Sequence, residues 1–119
     1  MEFHFQKFQV YQDAKRLHSF TVNIVKNFPR AYWHLADQMR RAALSIVLNI
    51  AEGAGKSTDK DFNRYIANAL GSLSELAAAY DVATSERLVS EAVSQETVKL
   101  LLDVRNQLGG FSKKLLALS

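Results

Sequence analysis

TDKDFNRYIANALGSLSELAAAYDVA, residues 58–83, decides the fold. Phe62, Ile66, Ala69, Leu73, Leu76, Tyr80 and Ala83 recur at alternating steps of four and three, the spacing that lines one apolar stripe along an α-helix. Thr58, with Asp61 three residues later, supplies an N-cap and a capping-box-like partner. Three other stretches share the period. Val10, Ala14, Leu17, Thr21, Ile24 and Phe28 predict a helix over about 9–28, ended by Pro29. Leu35, Met39, Ala42, Ile46 and Ile50 predict one over 33–53, with Gly53 and Gly55 supplying the stop. Val93, Thr97, Leu100, Val104, Leu108, Phe111, Leu115 and Leu118 predict one over 91–117. Gly109 and Gly110 weaken that last helix by about 1 kcal/mol each relative to alanine, so a kink or fraying is expected there. Short connections force neighbouring helices to run antiparallel. The expected fold is therefore all-α, an antiparallel up-down-up-down four-helix bundle occupying residues 1–119 as a single domain. Phe3, Phe5 and Phe8 form a short aromatic arm ahead of it, expected to pack on the bundle end.

Composition agrees with that outline. The 119 residues are 48% hydrophobic and 23% charged, the profile of one globular domain with its own core. One proline and five glycines leave few helix breaks, which disfavours short-stranded β architectures. The absence of cysteine excludes a disulfide framework, a thiolate metal site and a cysteine nucleophile, and points to a reducing cytoplasm. The longest apolar stretch, residues 42–51, is too short to span a bilayer and contains Ser45 and Asn49, so no membrane role is expected.

The second helix is more apolar than a bundle requires. Beside its core stripe lie Ala43, Leu44, Val47, Leu48 and Ala51, which leaves only a narrow polar arc. A bundle buries one face of each helix, so this second apolar region is expected to form an interface between copies of the chain. The polar arc contains Gln38, Arg41, Ser45, Asn49 and Glu52, and the third helix carries a matching line of Asp61, Arg64, Asn68, Ser72 and Glu75. Antiparallel pairing places Glu52 opposite Arg64, Asn49 opposite Asn68, Ser45 opposite Ser72 and Arg41 opposite Glu75, with Gly71 permitting close approach. Such a seam has two readings. In one, Arg41 and Arg64 clamp an anion while Asn49 and Asn68 hydrogen-bond it. In the plainer one, the seam fixes the register of the hairpin.

Catalytic chemistry finds little footing. His4, His18 and His34 fall in different segments with no Glu-x-x-His or i, i+4 pair, so no metal site is expected, nor any cofactor or small-molecule substrate. Gly53-Ala54-Gly55-Lys56-Ser57 lacks the first glycine of a phosphate-binding loop and follows a helix instead of a strand. No catalytic residue is nominated. The charge balance is mildly basic: fifteen Lys and Arg against twelve Asp and Glu give a formal +3, with the excess in residues 1–30. Lys15, Arg16, Lys26, Arg30, Arg40, Lys113 and Lys114 are candidates for nucleic-acid binding, with an ordinary solvated surface as the plainer account.

The run RRAALSIVLNIAEGAGKS at 40–57, with Gln38 before it, DF at 61–62, GSLSEL at 71–76 and FP at 28–29, resembles the proteins encoded in 23S ribosomal RNA intervening sequences. The similarity covers nearly the whole chain. It departs after FP, where the family commonly has an acidic residue and a Tyr-Gly pair and this chain reads RAYWHL. The resemblance implies a four-helix bundle that assembles as a ring-like homo-oligomer, typically a homopentamer, without catalysis. Members are widespread in bacteria, and a similar fold serves as the basic accessory protein of diversity-generating retroelements. The expected function is a non-enzymatic homo-oligomeric interaction protein that binds RNA or DNA through repeated basic faces. The alternative is a structural or protein-binding scaffold with no nucleic-acid role.

Overall fold

Four helices account for the chain in a computed structural model that describes residues 3–118. They are α1 (Gln9–Val25), α2 (Trp33–Ala54), α3 (Asp59–Ser85) and α4 (Glu91–Leu118), preceded by a 3₁₀ turn at His4–Lys7. Each helix packs on its neighbours in sequence, α1 also meets α4, and the backbones of the diagonal pairs stay apart. This is the expected up-down-up-down bundle, elongated at 46 × 28 × 20 Å. The α2–α3 pair is the most extensively packed, and α1–α4 the least of the four neighbouring pairs.

The helix ends follow local chemistry. Thr58 Oγ1 accepts from the Asp61 amide at 3.1 Å, and Ser90 Oγ accepts from the Val93 amide at 3.2 Å, so both later helices begin on a side-chain cap. α1 stops at Val25, three residues short of the expected limit. Residues 26–28 tighten into turns, with Phe28 N–H donating to Val25 O at 3.0 Å, because the residue before Pro29 is driven out of the helical region. α3 ends with Arg87 at φ 61°. The Leu88 and Arg87 amides donate back to Ala83 O and Thr84 O, the Schellman pattern that normally takes glycine. α4 runs unbroken through Gly109 and Gly110, correcting the expected kink. Leu108, Phe111 and Leu115 on either side of the glycines pack inward and hold that segment in place.

Leu17, Met39, Ile46, Ile50, Ile66, Leu76 and Leu108 fill the centre. Two threonines are buried among them. Thr21 Oγ1 shares a 2.8 Å hydrogen bond with the Tyr80 hydroxyl, linking the diagonal helices α1 and α3, and Thr97 Oγ1 donates to Val93 O at 2.7 Å. Burial pushes the Tyr80 phenol up to about 12, against a smaller downward pull from the Thr21 and Thr97 hydroxyls.

The bundle ends are closed differently. At one, Tyr32 OH donates to Glu86 Oε2 at 3.2 Å, and the negative charge of that carboxylate raises the Tyr32 pKa, assisted by the hydrogen bond. At the other, Phe8, Phe62 and Phe111 meet with centroids 5.2–6.3 Å apart. The aromatic arm thus packs as expected, with Phe5 edge-on to Tyr11 and Phe3 stacked on Phe5.

Gly53 lies inside α2, not at its stop. A Cβ there would come within 2.8 Å of Tyr65 Cβ and 3.2 Å of the Phe62 carbonyl oxygen, so the close approach of α2 and α3 occurs at Gly53. Gly71, nominated for that role, faces open space. Gly53→Ala is expected to destabilise the fold by about 1–3 kcal/mol through overpacking. Gly71→Ala should instead stabilise it by up to about 1 kcal/mol, and paired urea titrations read the opposite signs. Alkaline pH supplies a separate check. The fold favours the neutral Tyr80 phenol, so its contribution is whole below pH 10, its ordinary pKa, and is lost as pH rises through about 12. Urea midpoints should show wild type losing on the order of 2 kcal/mol more than Tyr80→Phe across that window.

Candidate functional site

The polar seam between α2 and α3 is present, with a different set of partners. Ser45 Oγ and Ser72 Oγ lie 2.7 Å apart, as the antiparallel register predicts. Asn49 does not reach Asn68; its Nδ2 donates to Ser45 O at 2.8 Å and to Ser45 Oγ at 3.1 Å, and Asn68 is exposed. Glu75 accepts from Gln38 Nε2 instead of pairing with Arg41. Arg41 approaches Asp37 at 3.9 Å and Arg64 approaches Asp61 at 3.5 Å, with side chains 75% and 67% exposed. Neither cross-helix ion pair, Arg41–Glu75 or Glu52–Arg64, occurs among the described residues. The reason is local. An acidic residue one turn away costs a long arginine side chain less entropy to meet than a partner on another helix, and Gln38 lies closer to the α3 flank of α2. The two arginines therefore do not converge on an anion. The seam has a small-residue centre, Ser45 against Ser72, flanked by the Gln38–Glu75 hydrogen bond.

The second apolar region of α2 divides in two. Ala43 and Val47 are buried within the chain's own bundle, which corrects their assignment to an interface between copies, and Ala51 is half-buried. They fall on the flank of α2 opposite the α3 contact, where α1 packs. Leu44 and Leu48 remain exposed on the outward side, beside Arg41, Ser45, Asn49 and Glu52 in a shallow depression.

The basic candidates also separate. Lys15, Arg16 and Lys26 share the outward face of α1, where Gln12, Ser19, Phe20 and Asn23 line an open groove with Lys15 and Arg16. Asp13, the acidic residue of that helix, accepts from Arg16 at 2.6 Å, from Gln107 of α4 at 2.8 Å and from Gln9 at 3.0 Å. Arg30 is exposed in the connection to α2, at the end of the bundle that Lys26 approaches. Arg40 is half-buried, with Asp37 at 3.8 Å. Lys113 and Lys114 are exposed near the end of α4, at the opposite end of the bundle from Arg30.

His4, His18 and His34 are not brought together, and no group of three potential metal ligands occurs among the described residues. Among the described residues, no helix is long and apolar enough to cross a membrane. A feature the sequence reading missed is a groove of about 300 Å³ between α3 and α4, lined by Leu73, Ala77, Tyr80, Val98, Leu101 and Leu102 with Asp81 and Arg105. Val98 and Leu102 fall off the core stripe of α4, the same circumferential excess that marks α2.

The model of the 23S rRNA-intervening sequence protein family matches residues 6–110. The chain belongs to this family. The matched segment takes in α1, α2, α3 and most of α4, so the seam, the α1 face and the α3–α4 groove belong to the intervening-sequence protein domain, whereas Lys113 and Lys114 fall outside it. No curated protein matches the chain.

The Ser45–Ser72 contact should be measurable in this intervening-sequence protein. Ser45→Ala and Ser72→Ala are each expected to cost about 0.5–1.5 kcal/mol, and the double variant less than their sum. Arg41→Ala should fall within about 0.5 kcal/mol of wild type, given its exposure. Strict additivity of the serines in chemical denaturation would remove the register role.

Proposed function

We propose that this chain is a non-catalytic, self-associating helical module that binds the phosphate backbone of RNA or DNA through the outward face of α1. The observation that carries this reading is the disposition of charge on that helix. Lys15 and Lys26 stand exposed on the same side, about 16 Å apart along the axis, a distance over which nucleic acid presents several phosphates. Asp13 is drawn toward α4 by Gln107, and the groove beside the cations offers amide and hydroxyl groups and the Phe20 ring. Such a face suits backbone contacts and does not read sequence.

Self-association is supported by Leu44 and Leu48, large apolar side chains open to solvent at the centre of a helix. A formal +3 chain binds weakly alone, but a ring of copies, a pentamer in the family's typical form, engages one polymer at several points. A sequence without cysteine supports a cytoplasmic setting. The scaffold alternative loses one possible docking element, because the arm carrying Phe5 and Phe8 packs on its own bundle.

Fluorescence anisotropy with labelled structured RNA and duplex DNA across a salt series tests the reading. Binding is expected to fall linearly in log–log form with salt, and Lys15→Glu/Lys26→Glu to weaken it and lower the slope by about 2. Lys113→Glu/Lys114→Glu should change it less. Absence of binding at low salt overturns the nucleic-acid role.

A further inference from the structure

Two open apolar surfaces of the bundle are bounded by charges. One is the shallow leucine face on the outward side of α2: Leu44, 42% exposed, and Leu48, 56% exposed, with Arg41 one turn before them and Glu52 one turn after. The other is the α3–α4 groove, floored by Leu73, Tyr80 and Leu101, where Val98 and Leu102 remain 49% and 40% exposed. Asp81 and Arg105 line that groove. Among the described residues Asp81, Arg105 and Glu52 form no ion pair, and Arg41 has only the long approach to Asp37 at 3.9 Å.

The spacing of these charges is set by the fold. Thr84 donates to Ser94 at 3.3 Å and Ser112 to Asn63 at 2.6 Å, which fixes the α3–α4 register and puts Arg105 level with residues 71–73. Asp81 then stands about 14 Å further along the axis, toward the end where α3 turns into α4. On α2, Arg41 and Glu52 are about 16 Å apart, with Arg41 toward that same end. The α2 face and the groove therefore carry opposite charges at matching separations, and the signs agree only when two bundles lie with the same polarity.

We propose that α2 of one chain seats Leu44 and Leu48 in the α3–α4 groove of a second copy, with Arg41 against the neighbour's Asp81 and Glu52 against the neighbour's Arg105. This rests on the self-association proposed above and specifies its surfaces. The α2 face and the groove lie on different sides of the bundle, so each chain offers one of each and the contact is head-to-tail. Like polarity is what a cyclic assembly about an axis running along the bundles requires. Charge pairs at both ends of an apolar contact set its register and reject the reversed orientation.

Because the chain has no cysteine, engineered ones report on the contact without background. Leu48 and Leu102 are both exposed, so replacing them leaves the core intact. Under mild oxidation, Leu48→Cys/Leu102→Cys is expected to give a ladder of covalent oligomers, while each single variant stays uncrosslinked. Light scattering on the wild type is run beside it. An oligomeric mass without the ladder, or dimers from Leu48→Cys alone, overturns this docking and leaves self-association standing; a monomeric mass overturns both. In a second arm, Arg41→Glu should weaken association about tenfold and Asp81→Arg in the same chain should restore it. Failure of that rescue overturns the charge register.

Discussion

The approach of α2 to α3 at Gly53 is the constraint on which the rest of the bundle depends. With no side chain at that position, the backbone of α2 settles against Tyr65 and the Phe62 carbonyl at a separation that a Cβ would prohibit. From that point the two helices remain close enough for the Ser45 and Ser72 hydroxyls to meet, and the Gln38–Glu75 bond continues the seam toward the other end. α1 and α4 complete the square by covering the remaining flanks. Their mutual contact is lighter, and the Gln107–Asp13 bond crosses it.

Each helix consequently has a different outward surface. α1 presents cations with its carboxylate drawn toward α4, α2 presents two leucines between opposite charges, and α3 with α4 presents a cleft. In a chain with a mild net charge, the cationic face and the apolar surfaces thus lie on different sides of the bundle. Composition averages over the surface and shows neither; what distinguishes the sides is which flank of each helix a neighbour covers.

The four helices and the Ser45–Ser72 register were legible because a period of 3.6 residues and the constant index sum of an antiparallel pair are properties of the backbone. The ends of the seam were not. Arg41 and Arg64 have carboxylates one turn away on their own helices, and sequence spacing across the hairpin does not weigh that local competition. Ala43 and Val47 looked surplus because the apolar arc of α2 was compared with one buried face, whereas a central helix in a square bundle is covered on two flanks. The same test of circumference, applied to α4, would have marked Val98 and Leu102 and so the groove. The close approach lies at Gly53 and not at Gly71, and was missed because a glycine near a helix end resembles a stop, although the register places residue 53 opposite residues 62–65.

The aromatic trio joins parts of the chain that are made at very different times. Phe8 precedes the first helix, Phe62 opens the third and Phe111 lies in the last. During synthesis the α1–α2 and α2–α3 hairpins can form as soon as each is complete, since their contacts are close in sequence. That end of the bundle has to wait. Until Phe111 leaves the ribosome, Phe8 and Phe62 lack their third ring and the α1–α4 side is open, so the nascent bundle remains an unsealed layer of three helices whose last helix both covers its core and completes the α3–α4 groove.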